Sequence, residues 1–210
     1  MRFEDAIEDG ALPIVAILRG IETAACVAIA KALVDGGIRL IEVPFNSPDP
    51  VGSIRAIEQA VGTRAAVGGG TVTSLEKAEA LAGAGGTFMV SPNVDPQIIA
   101  RALALGLDVM PGFLTPTEAF SAITAGARNI KLFPGSVLGS SYPRALRDVL
   151  PPEVHVWAVG GVGAANVAEY VSAGIFGIGA GSSLFKPGDS AATVGAQATE
   201  LVAAWRAAKA

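Results

Sequence analysis

Apolar residues along the chain follow two spacings, one typical of strands and the other of helices. Short apolar runs predict eight strands, at residues 13–19, 40–45, 65–70, 88–92, 108–112, 129–134, 154–161 and 176–181. The segments between them, such as ETAACVAIAKALVDGG and SLEKAEALAGAGG, place apolar residues at helical spacing. Successive strands begin mostly about 20–26 residues apart, which is the length of one strand–helix unit.

Glycines stand at the ends of many predicted helices, just before the next strand begins. A glycine readily adopts the left-handed backbone conformation that often terminates a helix, so these positions predict helix stops. The glycines at these stops are Gly36, Gly62, Gly85, Gly106, Gly126 and Gly174.

Eight apolar strands that alternate with helices indicate a parallel sheet covered by helices on both faces. In a chain of 210 residues, eight such units predict an α/β fold, a compact (β/α)8 TIM barrel. An open, doubly wound sheet is the alternative. Because the chain has no linker, low-complexity segment or block of charge, residues 1–210 are predicted to form a single domain.

A lysine lies inside one of the buried strands, in the stretch NIKLFPGS at residues 129–136. Side chains alternate between the two faces of a strand, so Lys131 faces away from Ile130 and Leu132, which suit the helix layer. The same alternation places Arg19 of the first strand and Glu42 of the second in the barrel interior. All three lie near the carboxyl ends of their strands, where barrel enzymes hold their active sites.

Two interpretations of Arg19, Glu42 and Lys131 remain open at this point. They could form a buried ion-pair cluster that only fills the barrel. Alternatively, two cations beside one anion leave a positive charge that a carboxylate substrate would match. Burial and the nearby Arg19 would lower the pKa of Lys131, and a neutral lysine is a nucleophile toward a carbonyl. Glu42 would then carry protons.

Two glycine-rich loops follow the seventh and eighth strands. Gly160 and Gly161 lie in the first loop, and Gly181 and Ser182 lie in the second. Backbone N–H groups in such loops bind phosphate, and barrels often use these two loops for it. Either loop alone could be only a tight turn. Neither loop matches a nucleotide-binding motif well.

Composition narrows the functional classes. The net charge of −4 gives no reason to expect nucleic acid or an anionic membrane as a partner. The mean hydropathy is +0.51, yet no apolar run approaches the roughly 20 residues that cross a membrane. The acidic N-terminus is unlike a signal peptide. Cys26, the single cysteine, excludes an internal disulfide and fits a reducing compartment, and the single His155 excludes most histidine-based metal clusters.

Seven motifs, taken together, resemble the 2-keto-3-deoxy-6-phosphogluconate and -galactonate aldolase family. They are AILRG, IEVPFNSP, GGGTV, VSPN, KLFPGS, AVGGV and GAGSSLF, they occur in family order, and they span about residues 13–185. The resemblance implies a cytoplasmic, metal-free class I aldolase without a cofactor, usually a homotrimer on a (β/α)8 barrel. The implied partners are a phosphorylated keto-deoxy sugar acid, pyruvate and glyceraldehyde 3-phosphate.

The resemblance also implies roles for individual residues. Lys131 resembles the Schiff-base lysine and Glu42 resembles the general acid/base, while Arg19 and Thr71 resemble the groups that hold the pyruvate carboxylate. The remaining positions resemble the lining of the pocket and the phosphate site, and they are Pro92, Phe133, Gly160, Gly161, Gly181 and Ser182.

The residue before the glycine pair of the seventh strand bears on the choice between the two epimeric substrates. Gluconate-specific members resemble PTGG there, whereas this chain has AVGG, so Val159 replaces a threonine. Loss of that hydroxyl removes a hydrogen bond near the hydroxyl on carbon four of the substrate. Galactonate-type members resemble AVGG and also IPLNSP, which is close to VPFNSP here, so the resemblance favours the galactonate epimer. A gluconate or dual specificity is the alternative. Gly69 and Gly135 also depart from the common family residues, and they bear on fine specificity.

Two other classes of protein compete with an aldolase. A phosphosugar isomerase or epimerase on the same barrel would use carboxylates or a metal, and it would not need a strand lysine beside an arginine. A catalytically silent barrel that only binds phosphate would tolerate the loss of Lys131 or Glu42. Trp157, Trp205 and His155 are predicted to serve packing.

Overall fold

The computed structural model describes residues 1–210, in which nine parallel strands form one sheet. The strands are β1 Ile14–Ile17, β2 Leu40–Pro44, β3 Ala66–Gly70, β4 Phe88–Val90, β5 Asp108–Met110, β6 Gly112–Phe113, β7 Asn129–Leu132, β8 His155–Val159 and β9 Gly177–Ala180. Their order in the sheet is β5-β4-β3-β2-β1-β9-β8-β7-β6. The two edge strands, β5 and β6, are separated in sequence only by Pro111, so the sheet curls round into a barrel.

Pro111 explains why the sheet has one strand more than the sequence predicts. Proline has no backbone N–H to donate to a neighbouring strand, so the ladder is interrupted there. β5 pairs with β4 and β6 pairs with β7, so the two pieces together fill one barrel position. The predicted barrel is therefore confirmed, and the doubly wound alternative is wrong.

Ten helices surround the strands, and several begin at residues that satisfy their free N–H groups. They are α1 Phe3–Glu8, α2 Thr23–Asp35, α3 Pro50–Val61, α4 Leu75–Gly83, α5 Pro96–Ala104, α6 Pro116–Thr124, α7 Gly135–Leu138, α8 Ser141–Arg147, α9 Val167–Ser172 and α10 Ala191–Lys209. Thr115 and Glu118 form a reciprocal capping box at the start of α6. No helix combines the length and the apolar character needed to cross a membrane.

The predicted alternation of strand side chains is confirmed. Ile41, Val43, Ile130 and Leu132 pack in the outer core, between the strands and the helices. A separate inner core fills the barrel itself, and its strand residues are Val15, Ile17, Leu40, Ala66, Phe88, Val90, Met110, Trp157 and Val159. The polar side chains of interest must therefore lie on the inner face, above this inner core.

Helix α1 closes the amino-terminal end of the barrel, which we call the floor. The Phe3 ring lies 4.9 Å from the Phe88 ring and 5.4 Å from the Trp157 ring, measured between centroids. The indole Nε1 of Trp157 donates a hydrogen bond of 2.9 Å to Asn129 Oδ1. His155 stacks on Phe176 at 3.7 Å at the same end. Trp157 and His155 thus have the packing role that the sequence predicts.

Candidate active site

A cavity of about 590 Å³ opens at the carboxyl ends of the strands, opposite the floor. We call this end the mouth. Nine of the eleven residues predicted for the site line this cavity: Arg19, Glu42, Lys131, Phe133, Val159, Gly160, Gly161, Gly181 and Ser182. The sequence pattern therefore brings most of the candidate residues to one place.

Lys131 reaches this cavity from strand β7, where it lies between Gly112 of β6 and Trp157 of β8. Only 5% of Lys131 and 2% of Glu42 is exposed. The ammonium nitrogen Nζ lies 4.5 Å from the centre of the Phe133 ring. Burial of both charged groups at the end of a barrel strand is unusual unless they are paired or functional.

No salt bridge in the structure supports the ion-pair interpretation of this cluster. The salt bridges of the structure, with N···O distances from 2.6 to 3.5 Å, include neither Lys131 nor Glu42 nor Arg19. Arg19 instead donates from Nη1 to Asn46 Oδ1 at 2.7 Å. The lysine and the glutamate are close enough to influence each other's charge and remain available to a third molecule.

The protein shifts the pKa values of both buried groups toward their neutral forms. Burial raises the pKa of Glu42, and the positive charges of Lys131 and Arg19 oppose that rise. Burial lowers the pKa of Lys131, Glu42 opposes the fall, and Arg19 adds to it. The direction predicted for Lys131 is thus confirmed, and its amine is more nucleophilic than an exposed lysine at neutral pH.

A glycine at the end of β3 makes room for the glutamate. A Cβ atom on Gly70 would overlap the carboxylate of Glu42, so only glycine fits beside this side chain. Gly69 faces the helix layer instead, where a Cβ would lie 2.9 Å from Leu81 Cδ1. The departure from the family at Gly69 therefore concerns packing outside the cavity.

Thr71 and Pro92 are the two predicted residues that do not line the cavity. Thr71 directly follows Gly70 and has a φ of 56°, a left-handed conformation that is unusual for a β-branched residue. Pro92 packs on β6, where a Cβ on Gly112 would lie 2.5 Å from its carbonyl oxygen. Both residues are therefore neighbours of the strands that carry Glu42 and Lys131.

The opposite wall of the cavity consists of the two glycine-rich loops, which present six unbonded backbone N–H groups. Six backbone N–H groups donate no hydrogen bond within the protein, those of Gly160, Gly161, Val162, Gly181, Ser182 and Ser183. Five of these six residues are half-buried or exposed at the cavity wall, so their N–H groups are free donors that a ligand in the cavity can reach. Such clusters of donors bind anions, phosphate in particular.

Lys186 also lines the cavity, and the sequence analysis missed it. It follows the second glycine-rich loop by several residues, so its position gave no periodic signal. In the folded chain Pro187 contacts the loop after β1, where a Cβ on Gly20 would lie 2.9 Å from Pro187 Cγ. That contact brings Lys186 to the same cavity as Arg19.

No three or more histidine, cysteine, aspartate or glutamate side chains are grouped so that they could hold a metal ion. The charged side chains that line the cavity are Lys131, Glu42, Arg19 and Lys186. The two glycine-rich loops add a set of free backbone N–H groups. This combination can attack a carbonyl, move protons and hold two anionic groups.

Comparison with known proteins gives a consistent result. The family model described as "Aldolase: KDPG and KHG aldolase" matches residues 8–194. A probable 2-dehydro-3-deoxy-6-phosphogalactonate aldolase of Rhizobium meliloti (strain 1021) is 45% identical over 93% of this chain and 92% of its own length. The 2-dehydro-3-deoxy-6-phosphogalactonate aldolase of Escherichia coli (strain K12) is 44% identical over 93% of this chain and 95% of its own.

A solved structure titled "Native KDPGal structure" superimposes with a TM-score of 0.93. It is 43% identical in sequence, and the match covers 94% of this chain and 96% of that one.

Proposed function

The chain belongs to the KDPG and KHG aldolase family, and from that premise we propose that it cleaves 2-dehydro-3-deoxy-6-phospho-D-galactonate to pyruvate and D-glyceraldehyde 3-phosphate. The observation that carries the proposal is the set of groups that line one cavity. A buried lysine with a lowered pKa and a buried glutamate with a raised pKa face a wall of six unbonded N–H groups. The first pair suits Schiff-base chemistry, and the wall suits a phosphate.

The reaction begins with Schiff-base formation. The neutral amine of Lys131 adds to the keto carbon, C2, of the substrate. Glu42, whose raised pKa favours the protonated acid, gives a proton to the departing hydroxyl, which leaves as water. The product is a protonated Schiff base, an electron-withdrawing group that prepares the neighbouring bond for cleavage.

Cleavage follows when Glu42, now ionised, accepts the proton of the hydroxyl on C4. The electron pair of the C3–C4 bond moves to the Schiff base and forms an enamine. C4 becomes the aldehyde carbon of glyceraldehyde 3-phosphate, which departs. Protonation of the enamine at C3 and hydrolysis of the Schiff base then release pyruvate and restore the Lys131 amine.

Two anionic groups of the substrate match the two sides of the cavity. In this proposal Arg19 and Thr71 hold the carboxylate, and Pro92 and Phe133 shape the pocket around the pyruvate portion. The phosphate binds at Gly160, Gly161, Gly181 and Ser182, where the N–H groups are unbonded. Lys186 adds a positive charge on that side.

Val159 supports the galactonate epimer over the gluconate epimer. Its side chain is 5% exposed and lines the cavity directly before the Gly160–Gly161 pair. A valine at this point offers no hydrogen bond to a hydroxyl, and a site lacking that bond discriminates differently from one that makes it. The names of the two relatives at 44% and 45% identity point to the same epimer.

We further infer that residues 1–210 form one aldolase domain that assembles as a homotrimer in the cytoplasm. Exposed apolar side chains on the surface, at Val137, Leu138 and Val149, offer contact area for such an assembly. Light scattering should give a mass of three times 21.1 kDa. A mass of 21.1 kDa at micromolar concentration would contradict the trimer.

The deciding experiment compares pyruvate release from the two epimeric 6-phosphates, side by side, with lactate dehydrogenase as the coupling enzyme. Preferential cleavage of the galactonate epimer is expected. Cleavage of the gluconate epimer alone would keep the chemistry and overturn the specificity. If neither is cleaved, borohydride reduction with pyruvate shows whether a Schiff base forms at all, and an isomerase or epimerase would give no adduct.

A further inference from the structure

The first glycine-rich loop has a bonding pattern that the proposed reaction does not by itself explain. Three consecutive carbonyl groups of this loop each accept a hydrogen bond from a different donor. Gly160 O accepts from Ser136 N at 3.1 Å, Gly161 O accepts from Asn166 Nδ2 at 2.8 Å, and Val162 O accepts from Ser183 Oγ at 2.8 Å. The backbone nitrogens of the same three residues donate no hydrogen bond.

Because the peptide unit is planar, a hydrogen bond to its carbonyl oxygen also fixes the direction of its N–H group. In a trans peptide the carbonyl of one residue and the N–H of the next point in opposite directions. A donor that holds Gly161 O therefore fixes the direction of the Val162 N–H, and the donor on Gly160 O does the same for the Gly161 N–H. Both fixed N–H groups belong to residues that line the cavity.

Asn166 makes two of the bonds that shape this loop. Its Nδ2 donates to Gly161 O at 2.8 Å, and its Oδ1 accepts from Gly163 N at 2.9 Å. A planar amide that bonds on both sides of Val162 fixes the two peptide units around that residue. Asn166 itself is not among the residues that line the cavity. Any influence it has on a bound anion must therefore pass through the loop.

We propose that Asn166 is a positioning residue that turns the loop carbonyls away from the cavity and aims the Gly161 and Val162 region as a set of N–H donors at the substrate phosphate. Without it, Gly161 O is released, and the peptide can rotate to bring a partial negative charge toward the phosphate. This inference rests on the proposed function, because it assigns the phosphate to this loop.

Two variants of Asn166 test the proposal. Asn166→Ala removes both bonds, while Asn166→Asp keeps an acceptor for Gly163 N and loses the donor to Gly161 O. The enzyme is assayed in the direction of synthesis, with pyruvate and either glyceraldehyde 3-phosphate or glyceraldehyde. The ratio of kcat/KM for the phosphorylated aldehyde to that for the unphosphorylated one should fall about 10-fold or more in both variants, as expected for a lost charge-assisted hydrogen bond.

Inorganic phosphate supplies a second readout. Its inhibition constant against the cleavage reaction should rise about 10-fold in both Asn166 variants. The control is Ser74→Ala, which removes the hydrogen bond of 3.4 Å that the backbone N–H of Lys77 donates to Ser74 Oγ; neither of these residues lines the cavity. That variant should leave the aldehyde ratio and the phosphate inhibition unchanged.

The outcomes separate this inference from the proposed function. Equal losses with both aldehydes and unchanged phosphate inhibition would mean that Asn166 only supports the fold, which would overturn the inference. Thermal unfolding of each variant shows whether the fold is retained, and Asn166→Asp serves if the alanine variant does not fold. Failure of the wild-type enzyme to trap pyruvate under borohydride would instead overturn the proposed function.

Discussion

The floor and the mouth of the barrel are built from the same strands but treat polar groups in opposite ways. At the floor, buried polar side chains have partners: Arg2 Nη2 lies 2.6 Å from Asp108 Oδ1, and Trp157 Nε1 donates to Asn129 Oδ1, although the second oxygen of Asp108, Oδ2, accepts no hydrogen bond. At the mouth, Lys131 and Glu42 are buried without a salt bridge or a side-chain hydrogen bond. Strand β7 contains both situations, because Asn129 and Lys131 are two residues apart.

The floor of the barrel therefore contributes mainly to stability, and the mouth contributes mainly to the chemistry. The floor stabilises the barrel mainly through the buried area of its aromatic rings, together with the Arg2–Asp108 salt bridge and the Trp157–Asn129 hydrogen bond. An unpaired lysine at the mouth costs stability, because its charge is desolvated without a full partner. The same desolvation keeps its amine reactive. We therefore expect variants at the floor to lose stability and variants at the mouth to lose activity.

The largest expected effect comes from Lys131→Ala at the mouth. Cleavage should fall more than about 1,000-fold, because the variant has no amine to form the Schiff base. The free energy of unfolding should stay within about 1 kcal/mol of wild type, since the lost packing of the stem is offset by removal of a buried charge. Pyruvate release and urea denaturation measure the two quantities.

The matched control for this variant is Lys209→Ala. Lys209 also lies over an aromatic ring, with Nζ 5.6 Å from the Trp205 centroid, but it is on the outer surface. It should keep full activity and still form the pyruvate adduct with borohydride. Substantial turnover by Lys131→Ala would refute the assignment of the Schiff-base lysine.

The next largest expected effect is a loss of stability at the floor, in the variant Phe3→Ala. Removal of this ring from between Phe88 and Trp157 should lower the free energy of unfolding by about 3 kcal/mol, as for other large-to-small changes in a core. At a temperature where the variant is folded, pyruvate should still be trapped on the enzyme. Phe120→Ala, on the 42%-exposed side chain of α6, should cost less than about 0.5 kcal/mol.

Chemical denaturation of both phenylalanine variants at one temperature checks this prediction. A loss below about 1 kcal/mol in Phe3→Ala would mean that α1 is only loosely attached and that the floor is not closed by packing. Loss of trapping in the folded variant would mean that the floor and the mouth are coupled, contrary to the comparison.

Glu42→Gln sharpens the comparison because activity and stability should change in opposite directions. Cleavage should fall about 100-fold or more, since the proton carrier is removed. In the wild type, burial raises the folded-state pKa of Glu42 above its ordinary 4.5. The neutral form is therefore favoured on folding, and its contribution to stability is present below pH 4.5 and lost as the pH rises through the raised pKa.

The uncharged glutamine does not suffer that loss. Glu42→Gln should therefore match the wild type in stability near pH 4 and exceed it near pH 8, by about 1.4 kcal/mol for each unit of pKa shift. Glu118→Gln is the control whose change in stability at pH 8 should have the opposite sign. The reason is that backbone hydrogen bonds from Leu114 and Thr115 lower the pKa of Glu118. Urea denaturation at the two pH values tests both, and a less stable Glu42→Gln at pH 8 would contradict the argument.

Strand periodicity was enough to predict the fold and the convergence of Lys131, Glu42 and Arg19. The alternation of side chains is fixed by strand geometry, and the ends of parallel strands in a barrel lie at one level. The split of the fifth strand at Pro111 was not predicted, because its apolar pattern continues through the proline.

Other features of the mouth depend on contacts that no local pattern encodes. Lys186 lies at the cavity next to Pro187, which packs against Gly20, a residue far away in sequence. The roles of Thr71 and Pro92 rest on resemblance, and structure places both beside the cavity instead of in its lining.

The smallest expected effect is at the point where the mouth distinguishes two epimers. Val159→Thr replaces a methyl group with a hydroxyl in the cavity wall, where Val159 lies against Gly179 and Ile17. The ratio of kcat/KM for the gluconate epimer to that for the galactonate epimer should rise about 10-fold, since one added hydrogen bond is worth about 1 to 1.5 kcal/mol. Val156→Thr is the matched control, because Val156 lies on the same strand and faces the helix layer. It should lose similar stability, from a buried hydroxyl, and leave the ratio of the two epimers unchanged. If both variants leave that ratio unchanged, Val159 is a packing residue and the epimer preference must arise elsewhere in the mouth.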